Sequence, residues 1–123
     1  MDMKQYAAVC QPRLRQLIRD LCAIPAPSHH EERRADFCRD WFSEHCSREA
    51  YVDEALNVIC PWGVTEDGPV IAVMAHTDTV FPEETPLTFS EDERQFRCPG
   101  VTDDTAQLAV LMMGAEYLMK HCP

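Results

Sequence analysis

Val70-Ile71-Ala72-Val73-Met74-Ala75-His76-Thr77-Asp78-Thr79-Val80 is the stretch on which the reading of this chain turns. Six apolar residues run without interruption into a histidine, and an aspartate follows two positions later. A continuous apolar run predicts a central strand covered on both faces. In open α/β sheets, ligands bind beyond the carboxyl ends of strands, where His76 falls. Residues two apart in an extended segment project to the same side, so Asp78 can reach the His76 ring. A carboxylate in that position fixes one ring nitrogen and leaves the other free for a metal ion. The same residues also suit a histidine satisfied at a strand end beside a capping aspartate.

The flanking sequence predicts helices on either side. Pro12 suits a first helical turn, and Leu14, Leu17, Ile18, Leu21 and Cys22 follow at helical spacing, marking one buried face. Ile24-Pro25-Ala26-Pro27 ends that helix, because each proline disfavours helix in the residue before it. Ser28 with Glu31 reads as a capping box opening a second helix. That helix buries Ala35, Phe37, Cys38, Trp41, Phe42 and His45. His29 and His30 fall in its first turn; adjacent helical residues point in different directions, so the pair reads as surface or first-turn packing and not as a metal site. Tyr51-Val52 and Asn57-Val58-Ile59-Cys60 read as short strands, and Phe96-Arg97-Cys98 as another within a loop over residues 81–100. From Asp104 to about His121 runs a helix apolar nearly all round, which predicts burial, with its methionines as core filler. This order of elements predicts an α/β fold: a layered sheet with helices on both faces, as one domain over residues 1–123.

Composition narrows the function classes. The net charge is −10, from 21 acidic and 11 basic residues, which argues against nucleic acid or an anionic membrane as partner. Arg13, Arg15, Arg19, Arg33, Arg34 and Arg39 alternate with acids and read as solvated helix faces. No run of 18 apolar residues could span a bilayer, and the first residues lack the apolar core of a secretory signal. A cytoplasmic location is the expectation. The seven cysteines are odd in number and contain no C-x-x-C pair, so they read as reduced structural thiols, mostly buried.

A second acidic site, Asp103-Asp104, opens the apolar helix about 25 residues after His76. Carboxylates there can cap helix amides and meet the positive end of the helix dipole. Alternatively, one of them can bridge two metal ions that share a water.

Taken in order, Ile24-Pro25-Ala26-Pro27-Ser28 with Glu31, Asn57-Val58, Ala75-His76-Thr77-Asp78-Thr79-Val80 and Pro99-Gly100-Val101-Thr102-Asp103-Asp104 resemble a known family. It is that of the co-catalytic zinc metallopeptidases and deacylases: peptidase T, carboxypeptidase G, acetylornithine deacetylase, succinyl-diaminopimelate desuccinylase and aminoacylase. The resemblance covers nearly the whole chain. It implies that His76 is a terminal ligand of one zinc. Asp78 is then its orienting partner at the catalytic centre, and Asp103 the carboxylate bridging two zincs, with a following peptide bond that is often cis. Cobalt or manganese could replace zinc. The implied substrate is a peptide or N-acyl amino acid. Thr102, Thr105, Ala106 and Gln107 depart from the family's usual residues around the acidic pair.

The family's general-base glutamate, a further acidic ligand, a distant histidine and a lid or dimerisation domain have no counterpart up to Pro123. The expectation is therefore the N-terminal portion of an incomplete zinc-peptidase catalytic domain, inactive alone. The competing expectation is a short non-catalytic binding or regulatory module, or one half of a split enzyme. An open sheet edge and apolar helix faces would then favour a homodimer.

Overall fold

The computed structural model describes residues 1–122. Helix α1 spans Met3–Val9, and its start is fixed by a reciprocal cap. Asp2 Oδ1 accepts from the Gln5 amide at 2.8 Å, and Gln5 Oε1 accepts from the Asp2 amide at 3.0 Å. Helix α2, Gln11–Cys22, carries Pro12 in its first turn and buries Leu17, Ile18, Leu21 and Cys22. Helix α3, Glu32–His45, buries Arg34, Ala35, Cys38 and Phe42. Phe37, Trp41 and His45 on the same helix are half-buried. Helix α4, Ala106–His121, buries Leu108, Ala109, Met112, Met113 and Glu116.

These faces meet in one core. The α2 side chains pack with Cys38 and Phe42 of α3 and with Leu108, Ala109, Met112 and Met113 of α4. Leu21 and Met112 are wholly removed from solvent. Burying one such side chain stabilises the fold by roughly 1.5–3 kcal/mol. Helix α4 is not buried all round: Val110 and Leu118, eight residues apart, lie exposed on one stripe.

Two small hairpins complete the chain. Strands β1 (Tyr51–Val52) and β2 (Val58–Ile59) pair antiparallel, with Tyr51 opposite Ile59. Their turn is organised by Asp53, whose Oδ1 accepts from the amides of Ala55 and Asn57 at 2.9 and 2.8 Å. Strands β3 (Ser90–Glu91) and β4 (Phe96–Arg97) pair antiparallel, with Ser90 opposite Arg97. Asp92 closes this turn the same way, accepting from the amides of Arg94 and Gln95 at 2.7 and 2.9 Å.

Three further expectations need correction. The run Val70–Ala75 forms no strand among the described residues. Val70, Ile71, Val73 and Met74 are 64, 91, 73 and 84% exposed. A strand exists only through the ladder to a neighbour, and no described segment pairs with this one. The strands that do form pair two by two, so the layered sheet stands as an expectation and not as a finding. Second, Ser28 does not cap α3, which begins at Glu32 without a side-chain cap. His29 and His30 precede that helix, exposed, with His29 in the left-handed region at φ 70°. Third, Arg34 is not on a solvated face; it is 2% exposed.

Cys10, Cys22 and Cys38 are buried, Cys46, Cys60 and Cys98 half-buried, and Cys122 exposed; all are free thiols. Among the described residues no helix is long and apolar enough to cross a membrane.

Candidate metal centre

The segment holding His76 and Asp78 is fixed from two sides. On one side it runs beside the proline-rich link between α2 and α3. Thr79 donates its amide to the Ala26 carbonyl at 2.7 Å, and the Ser28 amide donates to the Thr79 carbonyl at 3.2 Å. Pro27 and Thr79 thus form a short parallel bridge. The prolines that end α2 leave an extended backbone, and this backbone takes the partner.

On the other side lies the acidic turn Val101–Thr105, which leads into α4. Gly100 enters it at φ 83°, in the left-handed region that favours glycine. A Cβ at Gly100 would sit 2.6 Å from Thr79 Cγ2. The two segments therefore approach as closely as a glycine permits. The Asp103–Asp104 peptide bond is cis. Neither carboxylate caps α4, whose entry has no side-chain cap; both face His76 instead.

The His76 ring lies between two carboxylates. Its Nδ1 is 3.1 Å from Asp78 Oδ1 and 3.0 Å from the Asp78 carbonyl oxygen. Its Nε2 is 2.9 Å from Asp103 Oδ1. The His76 amide donates to Asp104 Oδ2 at 3.3 Å. The second Asp78 oxygen accepts from the Ser28 hydroxyl. The contact expected from the two-residue spacing of His76 and Asp78 is present, and the turn adds Asp103 to it. Ser28, read from sequence as a helix cap, and Asp104, left open there between capping and metal bridging, both join the candidate site. Local capping rules could not reveal that their partners lie 50 and 28 residues away.

Electrostatics follow from this geometry. Burial draws the His76 ring down from its ordinary pKa. The hydrogen bond to Asp103, the Asp78 carbonyl and the charges of Asp78 and Asp104 outweigh it, and the net shift is upward. The Asp78 carboxyl is held below the usual range, first by the Ser28 hydroxyl and then by His76. Asp103 is open to solvent, with its side chain 73% exposed.

The donor set fits part of a zinc site. Two ligands at about 2.0–2.1 Å from a tetrahedral zinc stand about 3.3 Å apart. The Nε2–Oδ1 separation of 2.9 Å is close to that edge. Nδ1 is already committed to Asp78, so Nε2 is the ring nitrogen that could coordinate a metal ion. Among the described residues, however, no group of three or more His, Cys, Asp or Glu side chains could hold a metal ion. A catalytic zinc uses three protein ligands and an open position. His76 and Asp103 supply only two donors toward such a set.

No protein-family model matches the chain. It is similar to the [LysW]-lysine hydrolase of Deinococcus radiodurans, 40% identical over 78 residues. The match covers 63% of this chain and 20% of that protein. The chain thus spans about one fifth of the length of the curated relative it matches.

Proposed function

We propose that this chain is the N-terminal portion of the catalytic domain of a zinc-dependent peptidase or amidohydrolase. The observation that carries the reading is the clamped imidazole: His76 Nδ1 on Asp78 and Nε2 on Asp103, at 3.1 and 2.9 Å. Similarity to a hydrolase supports it, and hydrolysis is what we carry from that relative to this chain. The substrate class in this reading is a peptide or an N-acyl amino acid. Free thiols at all seven cysteines agree with a reducing, cytoplasmic setting.

In this reading His76 Nε2 and the Asp103 carboxylate would hold zinc. Zinc, when bound, lowers the pKa of a coordinated water and polarises a carbonyl oxygen. This chain's residues do the preparatory work. Ser28 orients Asp78, and Asp78 accepts from Nδ1, which holds the ring with Nε2 turned toward Asp103. Asp103 brings negative charge to the same point. A metal ion bound here would take the place of a proton between Nε2 and Asp103. The remaining ligands and the general base come from polypeptide beyond these residues. That polypeptide also supplies strand neighbours for Val70–Ala75, which completes the layered α/β sheet. It belongs to the same protein in the reading we favour, and to a partner or a second copy in the split-enzyme alternative.

The test is zinc competition against a chromophoric chelator. The parent chain should bind zinc weakly, and His76→Ala and Asp103→Ala should each weaken binding at least tenfold. The purified chain should hydrolyse no amide substrate. Equal zinc affinity in all three proteins would overturn the metal assignment. Hydrolysis by the pure chain that is lost in His76→Ala would overturn the reading of an incomplete site.

A further inference from the structure

Arg34 is a charged side chain with almost no contact with water. It is 2% exposed, and no carboxylate lies within ion-pair distance of it among the described residues. A buried charge is costly unless its hydrogen bonds are made. Arg34 makes four. Nη2 donates to the carbonyls of Leu21 and Ile24 at 2.8 and 2.9 Å, at the end of α2. Nη1 donates to the Thr77 carbonyl and to Thr105 Oγ1, each at 3.0 Å. Only Nε lacks a partner.

The identity of the Nη1 partners matters most. Thr77 lies between His76 and Asp78. Thr105 closes the acidic turn two residues after Asp103 and is 1% exposed. One guanidinium nitrogen therefore bridges the two segments whose side chains meet at the candidate metal centre. The other nitrogen anchors that bridge to α2, a helix of the core. A planar guanidinium fixes the directions of all four bonds, which a lysine ammonium cannot do.

We propose that Arg34 is a positioning residue that sets the separation of His76 and Asp103 by tying Thr77 to Thr105. Its consequence for zinc rests on the metal-centre reading above; the positioning itself does not. Helix α3 thereby acts on a site to which it contributes no donor atom.

The experiment uses the whole chain with Thr105→Val, which removes the acceptor at nearly constant shape, and Thr105→Ser, which restores it. Arg34→Lys is the second route. Nuclear Overhauser contacts between the His76 ring protons and the Asp103 methylene protons report the separation directly. The Tyr6–Tyr117 ring contact, 4.9 Å between centroids, reports an intact fold far from the site. Zinc competition is measured on the same samples. Thr105→Val and Arg34→Lys should lose the His76–Asp103 contact and weaken zinc binding about tenfold, with the Tyr6–Tyr117 contact kept. Thr105→Ser should match the parent. A His76–Asp103 contact at parental intensity in both Thr105→Val and Arg34→Lys would overturn the proposal. Loss of that contact in a parent background that binds no zinc would uphold the positioning and remove the metal reading.

Discussion

Glu116 offers a test of what holds the first helix to the last. Its side chain is 1% exposed, inside α4. Arg13 donates to it from α2 through Nη1 at 3.2 Å and Nη2 at 2.9 Å. The Tyr6 hydroxyl of α1 lies 3.3 Å away and also reaches the Met113 carbonyl at 3.1 Å. Lys120 donates from the next turn, and His45 Nδ1 of α3 is 4.0 Å distant. Burial pushes the Glu116 carboxyl up, but the hydrogen bonds from Arg13 and Lys120 outweigh it, and the net shift is downward. Glu116→Gln keeps the shape and removes the charge. A charge-assisted hydrogen bond contributes about 1.5–3 kcal/mol. Arg13 and Lys120 are half exposed, at 47 and 52%, so solvent screening brings the expected loss to about 1.5 kcal/mol. With about 2.1 cal/mol/K of unfolding entropy per residue, this lowers the Tm of a chain of this length by about 6 °C. Folded Glu116 takes up its proton less readily than the unfolded chain does. Its stabilisation is therefore present above the unfolded pKa of about 4.3 and lost as pH falls through the lower folded value. Thermal melts of parent and variant should differ at pH 7 and converge toward pH 3. A Tm within 1 °C of the parent at pH 7, or a gap unchanged at pH 3, would refute this account of the cluster.

Gly100→Ala should lower the urea midpoint by the equivalent of about 2–3 kcal/mol, since it meets both a left-handed φ of 83° and Thr79 at 2.6 Å; an unchanged midpoint would show that the turn relaxes freely. Met112→Ala, at a fully buried site between α2 and α4, should cost about 3 kcal/mol by the same assay; a loss below 1 kcal/mol would mean that the core closes over the cavity. Burial pushes the Cys22 and Cys38 thiols up to about 12, so a thiol reagent at pH 8 should label exposed Cys122 first and these two only on unfolding. Mass spectrometry of the labelled chain would contradict this if Cys38 reacted as fast as Cys122.

The faces of α2 and α3 were legible because burial follows the helical repeat, as Leu17, Ile18, Leu21 and Cys22 do. The His76–Asp78 contact was legible because spacing alone puts both side chains on one side. Ser28 was misread because Ser-x-x-Glu satisfies a local capping rule, while its hydroxyl is taken by an aspartate 50 residues away. Arg34 was misread because arginine is ordinarily solvated; its four acceptors come from segments that only the fold brings together. Helix α1 escaped notice because seven residues show no clear period. What holds it is Tyr6 on Glu116, a long-range contact. The apolar run before His76 has the composition of a strand. Composition cannot supply a neighbour, and strand pairing is a property of two segments.

That run also sets the colloidal behaviour of the isolated chain. Four apolar side chains protrude between Val70 and Met74, on backbone that pairs with no other strand among the described residues. Copies of this segment can adhere to one another edge to edge. Opposing them is a net charge of −10 on every molecule. Mutual repulsion acts over the Debye length, about 10 Å at 0.1 M salt and about 3 Å at 1 M. Raising ionic strength therefore removes the repulsion while leaving the adhesive segment intact. Clustering of the chain should grow with added salt, the reverse of a complex held by charge, and dilute buffer should keep its molecules apart; light scattering across a salt series checks this.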